Sequence, residues 1–323
     1  MTIDRIRALV SSDFEAVNTL ILNKIKPQAG LIDELSNHII QSGGKRLRPL
    51  LVLLASKACG YTGGDAHISL AAMMEFLHTA TLLHDDVVDE STLRRGRQTA
   101  NTIWGSKASI LVGDYLLTQS LQLIVDVGNS EILKLMVDTN LEMTCGEIKQ
   151  LSNRHKYTLT FNDYFEVIRA KTALLFASAA CIGAHLGGTN LHLQKSLYAY
   201  GLHLGNAFQL IDDAFDYCSD AKTLGKNIGD DLADGKATLP LIHALQHGTP
   251  KQQQQIKDSL QQGILDYLPE ILIAIEETKA IEFTKKMADQ EVDCALNCLI
   301  ELPDSAYKSA LEELAAFAVK RTY

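Results

Sequence analysis

Residues 79–96 read TATLLHDDVVDESTLRRG, and this stretch decides how the rest of the chain is interpreted. On a helix, Asp85 and Asp89 lie four residues apart and project from one face. Two aligned carboxylates repel unless a cation lies between them, and oxygen ligands at this spacing suit Mg²⁺. Arg94 and Arg95 follow, and guanidinium groups bind phosphate oxygens in pairs. The stretch therefore predicts a metal site that also binds a diphosphate.

A second copy of the motif separates this interpretation from an ordinary acidic surface, which is what an isolated acidic run usually is. Residues 211–216 read IDDAFD and repeat the spacing with Asp212, Asp213 and Asp216. Each copy follows an apolar run with helical character. We expect two helices that end in carboxylates facing one another across a cavity, with about two or three Mg²⁺ ions and a diphosphate between them.

The rest of the chain favours long helices. No proline occurs between Pro49 and Pro240, strand signals are weak, and no linker divides the 323 residues. We therefore expect an all-α fold with a single domain over residues 1–323, a bundle of long antiparallel helices around a central cavity. Residues 218–236, rich in Gly, Asp and Lys, are expected to form a mobile lid that excludes water from the site.

Composition excludes several functional classes. A net charge of −9 argues against nucleic acid as a partner. The N-terminal residues show no signal peptide and the six cysteines are scattered, so we expect reduced thiols in a cytoplasmic protein. Residues 172–194 carry no formal charge, but their apolar part, 173–186, is too short to span a bilayer. We expect a buried central helix there and no transmembrane segment.

The order and spacing of these motifs resemble those of the trans-isoprenyl diphosphate synthases, and among them the bacterial long-chain (octaprenyl-type) polyprenyl synthases. The resemblance covers nearly the whole chain, and besides both DDxxD motifs it includes GGKRLRP at 43–49, RRG at 94–96, KT at 171–172, FQ at 208–209 and GK at 225–226 and 235–236. It implies Mg²⁺-dependent head-to-tail (1'-4) condensation of isopentenyl diphosphate onto an allylic diphosphate, with farnesyl diphosphate as the expected primer. The expected product is a long all-trans chain, octaprenyl diphosphate for a quinone side chain, and the expected assembly is a homodimer.

The resemblance also implies roles for the matching residues. The catalytic set would be Asp85, Asp86, Asp89, Arg94, Lys171, Asp212 and Asp213, with metal held by Asp85, Asp89 and Asp212. Isopentenyl diphosphate would be bound by Lys45, Arg48, His78 and Arg95. The allylic diphosphate would be bound by Arg94, Lys171, Thr172, Gln209, Lys226 and Lys236. Arg46, within the same basic run, is interpreted as a packing residue. Asp234 departs from the family, where Glu commonly precedes the Gly-Lys pair.

Product length depends on how far a tunnel continues below the metals. Ala80 and Thr81 precede Asp85 by five and four residues. In the family, bulky aromatic residues here close the tunnel and give short products, so these two small residues predict a deeper tunnel. We expect Met136 to form its floor. The alternatives are Met73 and Met74, and all three are also explained by ordinary core packing.

Other functions remain open at this point. A shorter-chain (geranylgeranyl) synthase would share every motif. A class I terpene cyclase shares one DDxxD but has no second diphosphate to bind with Lys45, Arg48 and His78. A phosphohydrolase of the HD type, reading His84-Asp85 as its motif, needs further His and Asp ligands on other helices. A non-catalytic helical subunit of a heteromeric synthase would have lost an aspartate motif or the cations.

Overall fold

The computed structural model describes residues 3–25, 30–41, 44–94, 96–218 and 228–320. The chain is about 79% helical and almost without sheet, so the all-α prediction is confirmed. In the described part, sheet is limited to an antiparallel pair, β1 (Leu93–Arg94) and β2 (Arg97–Gln98).

The helices follow one another with short connections. Those before residue 128 are α1 (Ile3–Ala8), α2 (Ser11–Ile25), α3 (Leu31–Gln41), α4 (Leu47–Ala58), α5 (Ala66–Val88), α6 (Ala100–Trp104) and α7 (Ser106–Val127). The next are α8 (Ser130–Asn153), α9 (Phe161–Ile168), α10 (Leu174–Leu186) and α11 (Leu191–Phe215). The last are α12 (Asp230–Ala233), α13 (Leu239–His247), α14 (Pro250–Gln262), α15 (Leu268–Glu277), α16 (Ala280–Cys298) and α17 (Ala306–Lys320).

Both aspartate motifs lie at the C-terminal ends of long helices. Helix α5 has 23 residues and is capped by Asp89, and α11 has 25 residues and is capped by Asp216. Their buried faces are rich in Leu, Ala, Met and Gly, which leaves the acidic ends as the polar part of each helix. The sequence prediction that each motif terminates an apolar helix agrees with this arrangement.

Helix α10 lies at the centre of the bundle. All of its residues from Leu174 to Ala184 are buried, and it packs against α4, α8 and α11. Contact with α4 is close, because a Cβ atom added at Gly183 would lie 2.4 Å from the Cβ of Ala55. Two helical segments are long and apolar enough to cross a membrane by length and composition: residues 161–186, with 83% of the apolar window buried, and Ser106–Val127, with 39%. The first is therefore the predicted buried core helix.

A π-helical turn, Arg169–Ala173, joins α9 to α10 and carries both Lys171 and Thr172. Such turns insert an extra residue into a helix and are frequent at functional sites, because they redirect side chains that regular helical spacing would separate. Helix α8 approaches this turn closely, since a Cβ atom added at Gly146 would lie 2.3 Å from the Cβ of Ala170. The turn thus faces α8.

Three local predictions were wrong. A single helix over residues 2–25 is broken after Ala8, and a new helix begins at Ser11. A helix over 97–104 begins only at Ala100, because the preceding residues pair as β1 and β2 around Gly96, whose φ is 73°. The predicted lid includes the short helix α12, and its residues 219–227 lie outside the described residues.

Candidate active site

Asp85 lies in the last turn of α5 opposite Lys171. The ammonium Nζ of Lys171 is 3.6 Å from Asp85 Oδ2, and it donates to Glu147 Oε2 at 3.1 Å and to Gln150 Oε1 at 3.0 Å. Burial, together with the nearby Asp85, raises the pKa of Glu147 although Lys171 opposes the shift. One cation from the π turn is therefore shared among acceptors on α5 and α8.

Asp86 is almost completely buried and positions an arginine. Arg94 donates to its Oδ1 from Nε at 2.9 Å and from a terminal nitrogen at 2.8 Å. Burial raises the pKa of Asp86, while Arg94 acts in the opposite direction. Asn101 donates to the backbone carbonyl of Asp86 at 3.1 Å. Because the β1–β2 hairpin turns at Gly96, Arg94 returns to the end of α5, where Asp86 orients it.

Asp89 is held by a cation on each oxygen. Lys236 donates to Oδ2 at 3.0 Å, and Arg154 donates to Oδ1. Burial alone would raise the pKa of Asp89, but Lys236, Lys171 and Arg154 outweigh it and lower the pKa below its usual value. Asp234 shares Lys236 at 2.8 Å. The Asp89 carboxyl is therefore ionised at neutral pH.

In the second motif, Asp213 is a buried positioning residue. It accepts hydrogen bonds from Tyr164 Oη at 2.6 Å and from Gln209 Nε2 at 2.7 Å. Burial, reinforced by Asp231, raises the pKa of Asp213 to about 8. Since Gln209 uses its amide nitrogen for Asp213, its carbonyl oxygen accepts from Thr172 Oγ1 at 2.7 Å. The half-buried Asp212 lies beside this network.

Two short chains of contacts join the motifs. The first runs from Asp85 to Lys171, and then from its neighbour Thr172 through Gln209 to Asp213. The second runs from Asp89 to Lys236, whose backbone N–H donates to the carbonyl of Asp231 at 2.8 Å. The backbone N–H of Asp231 in turn donates to Asp216 Oδ2 at 3.2 Å. The two acidic helix ends are therefore neighbours across a gap lined with lysine, threonine and glutamine.

The donors around this gap fit a hard divalent cation. Mg²⁺ prefers oxygen ligands and usually takes one or two carboxylates together with water and substrate phosphates. Asp85 and Asp89 offer such oxygens from α5, and Asp212 offers one from α11. Lys171 and Lys236 compensate the charge of the α5 carboxylates in this structure, so a bound metal ion would take over that compensation. Among the residues described, no three acidic, histidine or cysteine side chains form a ready-made metal cluster.

The cations predicted to bind isopentenyl diphosphate lie near the start of α4. Lys45 Nζ is 5.1 Å from the centre of the Phe317 ring, and the Arg48 guanidinium is 4.5 Å from that of Phe176. His78 is half-buried on α5, two turns before Asp85. The predicted residues Arg95 and Lys226 lie outside the described part of the chain.

Arg46 supports a packing interpretation, as the sequence suggested. It donates to Asn18 and lies 3.5 Å from Glu75 Oε1, so it connects the start of α4 to α2 and α5. Its φ of 43° places it in the left-handed region immediately before α4 begins.

The residues assigned to chain length are buried in the main core. Ala80 is 1% exposed and Met136 is fully buried, as are the rival candidates Met73 and Met74. Thr81 is half-buried and donates to the His78 carbonyl at 2.8 Å, which satisfies its hydroxyl within α5. Ala80 therefore presents only a methyl group to the interior, and Met136 stays the predicted floor.

His84 and Asp85 do not act as a pair. His84 Nε2 is 3.3 Å from Asp114 Oδ1 and from the carbonyl of Ile110, both on α7. A Cβ atom added at Gly113 would lie 2.4 Å from His84 Nε2, so the imidazole occupies space that only glycine leaves free. Asp85 instead faces Lys171. This divergence argues against the HD-type phosphohydrolase.

Sequence reasoning missed several residues of the site. Glu147 and Gln150 lie three residues apart on α8, and that helical spacing beside a predicted diphosphate site was a usable signal. Tyr164 carried no signal, because its partner Asp213 is 49 residues away in sequence. Arg154 lies just after α8 in a short basic run, and nothing local indicated that its partner would be Asp89.

Comparisons with known proteins agree with this geometry. The sequence model of a family described as "Polyprenyl synthetase" matches residues 29–267. The chain is 44% identical over 322 residues to octaprenyl diphosphate synthase of Escherichia coli K12, covering 99% of both proteins. A polyprenyl synthase from Caulobacter crescentus, solved in complex with calcium and isoprenyl diphosphate, superposes with a TM-score of 0.95 at 40% identity, covering 100% of this chain and 98% of that one. A decaprenyl diphosphate synthase from Rhodobacter capsulatus gives a TM-score of 0.93 at 39% identity, with full coverage of both chains.

Proposed function

This chain belongs to the polyprenyl synthetase family and is a trans-prenyltransferase, and from that premise we propose how its site performs chain elongation. We propose that it uses Mg²⁺ to condense isopentenyl diphosphate head to tail with an allylic primer, farnesyl diphosphate. We further propose octaprenyl diphosphate as the product, which would supply a quinone side chain. The observation that carries the proposal is the pairing of two aspartate motifs around one gap rich in cations.

The residues around the gap are suited to hold a departing diphosphate. Lys171, Thr172 and Gln209 form a polar wall on one side, and Arg94 and Lys236 bring cations from the other. Mg²⁺ held by Asp85, Asp89 and Asp212, in about two or three copies, would supply further positive charge for the oxygens. The same side chains orient the allylic carbon toward the second substrate. The site therefore favours ionisation of the allylic C–O bond.

The second substrate completes the reaction. Lys45, Arg48, His78 and Arg95 are proposed to bind the diphosphate of isopentenyl diphosphate and to direct its double bond at the allylic cation. The new C–C bond forms as the old C–O bond breaks, and the released diphosphate accepts the proton that is lost. This chemistry requires no nucleophilic side chain, because the substrate double bond is the nucleophile.

Long product length is proposed from the small side chain of Ala80 and from the named relatives. Ala80 is buried, so a growing chain that follows α5 meets a methyl group there rather than a ring. The similar proteins from E. coli and R. capsulatus are an octaprenyl and a decaprenyl diphosphate synthase. Both observations favour a long-chain product over the geranylgeranyl alternative. We also propose that residues 1–323 form one domain and that the protein is cytoplasmic.

The proposed function has a direct test. The protein is incubated with Mg²⁺, farnesyl diphosphate and labelled isopentenyl diphosphate, and the products are sized after removal of the diphosphate. We expect label in a product about eight isoprene units long, and no incorporation when a chelator removes divalent cations. Incorporation that stops at about four units would favour the geranylgeranyl alternative. Absence of elongation would contradict the proposal.

We propose that the protein is a homodimer joined through α7 and α8. These neighbouring helices expose large apolar side chains, among them Leu111, Val125, Leu141 and Ile148, each 60% exposed or more. Exposed patches of this kind in a water-facing bundle indicate a contact surface. A second copy of the chain is the proposed partner, because the patch runs along two adjoining helices and is self-complementary across a two-fold axis.

A charge placed in this patch is expected to dissociate the dimer. Leu141→Glu would bury an unpaired carboxylate in the interface, which is strongly unfavourable. Sedimentation velocity of the variant should show monomer at concentrations where the unmodified protein is dimeric. Leu191→Glu is the matched control, since Leu191 is 64% exposed at the start of α11, outside the patch. A monomeric unmodified protein, or one that binds lipid vesicles through this face, would contradict the proposal.

A further inference from the structure

The inference starts from the segment that follows α8. Arg154 caps this helix, and its guanidinium contacts Oδ1 of Asp89, the last aspartate of the first motif. The side chain is 21% exposed, so the contact is partly shielded from water. Its Nε is buried and has no hydrogen-bond partner in the described structure. Arg154 thus brings an unused donor to the edge of the proposed diphosphate site.

His155 fixes the position of Arg154 relative to Lys236. Its backbone N–H donates to the carbonyl of Gly235 at 2.9 Å, and its Nδ1 lies 2.9 Å from the carbonyl of Leu260. His155 has a φ of 63°, an unfavourable conformation for a residue with a side chain. Gly235 has a φ of 66°, and a Cβ atom there would lie 2.4 Å from His155 Nδ1. These residues therefore clip the end of α8 onto the segment that carries Lys236.

The clip delivers two cations to one carboxylate. Lys236 is 3.0 Å from Asp89 Oδ2, and Arg154 contacts Oδ1. Lys236 also has Asp234 as a second acidic partner at 2.8 Å, whereas the ion-pair partner given for Arg154 is Asp89. A divalent cation that binds Asp89 must compete with these two groups for the same oxygens. When it does, Arg154 is left next to the gap with a guanidinium suited to phosphate oxygens.

We propose that Arg154 is a further positioning and binding residue of this site. In the substrate-free protein it neutralises Asp89, and it turns to the allylic diphosphate when a divalent cation binds that carboxylate. This inference rests on the proposed function and names a residue that the sequence motifs do not include. It predicts opposite effects of removing the charge: the metal binds more easily, and the diphosphate binds less tightly.

Arg154→Gln tests this prediction, with Arg154→Lys as the conservative variant. Lys156→Gln is the matched control, because Lys156 is an exposed cation in the same segment whose given partner is Asn153. Two measurements are made. Mn²⁺ binding to the substrate-free protein is followed by electron paramagnetic resonance, which needs no turnover. Steady-state kinetics give separate KM values for the allylic and the isopentenyl substrate.

We expect Arg154→Gln to lower the Kd for Mn²⁺ about fivefold and to raise the allylic KM about tenfold, with the isopentenyl KM unchanged. Arg154→Lys should lie between this variant and the unmodified protein. Equal behaviour of Arg154→Gln and Lys156→Gln would overturn the proposal, as would weaker Mn²⁺ binding in both Arg154 variants. If the unmodified protein does not elongate, the proposed function fails, and the Mn²⁺ measurement alone then decides whether Arg154 competes for Asp89.

Discussion

Replacing Asp85 by Asn is expected to lower kcat by about two to four orders of magnitude. The change keeps the shape of the side chain but removes the charge that faces Lys171 at 3.6 Å and that we propose binds Mg²⁺. A neutral amide is a poor Mg²⁺ ligand, so less positive charge would stabilise the departing diphosphate. The rate is measured as incorporation of labelled isopentenyl diphosphate at saturating substrates and over a range of Mg²⁺ concentrations.

The control for this prediction is Asp126→Asn. Asp126 is exposed on α7 and loses the same charge at a distance from both motifs. We expect its kcat to stay within about twofold of the unmodified value, since surface substitutions have small effects. Near-normal turnover of Asp85→Asn, with its fold intact by circular dichroism, would remove Asp85 from the metal site.

Replacing Ala80 by Tyr is expected to shorten the products to about one or two isoprene additions beyond the primer. Ala80 is 1% exposed on the inner side of α5, five residues before Asp85. A phenol ring placed there must extend into the interior, where large side chains are otherwise closely packed. The first condensation should still proceed, because the ring lies more than one helical turn from the aspartates. Product sizing by reversed-phase chromatography gives the result.

Ala80→Ser is the matched control, because it keeps a small side chain at the same position and should leave product length unchanged. Measuring total incorporation alongside product length separates a closed tunnel from a damaged enzyme. An active Ala80→Tyr protein that still makes full-length products would refute the account of the tunnel along α5.

Much of the fold followed from local sequence, because long proline-free apolar runs specify long helices. The helices that carry the motifs were predicted to within about two residues at their C-terminal ends. The errors occurred where local propensity was overridden. The β1–β2 hairpin depends on Gly96 and on the anchoring of Arg94 by Asp86, a contact that helical periodicity does not reveal.

The site was predictable as far as its residues belong to motifs. Asp85 and Lys171 do meet, and so do Asp89 and Lys236, although 147 residues separate the latter pair. What sequence could not reveal is the division of labour within a motif. Asp213 is buried and orients Gln209, whereas Asp212 beside it is more exposed, and that difference arises from the packing of Tyr164 against α11. Arg154 was missed for the same reason, since its role depends on the folded position of Asp89.

The central claim is that the two aspartate motifs hold one metal–diphosphate site between them. Anomalous diffraction from crystals grown with Mn²⁺ and inorganic pyrophosphate tests it most directly, because Mn²⁺ occupies Mg²⁺ sites and can be located independently of the protein atoms. We predict Mn²⁺ bound by Asp85 and Asp89 on one side and by Asp212 on the other, with pyrophosphate bridging them. Mn²⁺ at only one motif, or pyrophosphate bound away from both, would contradict the account.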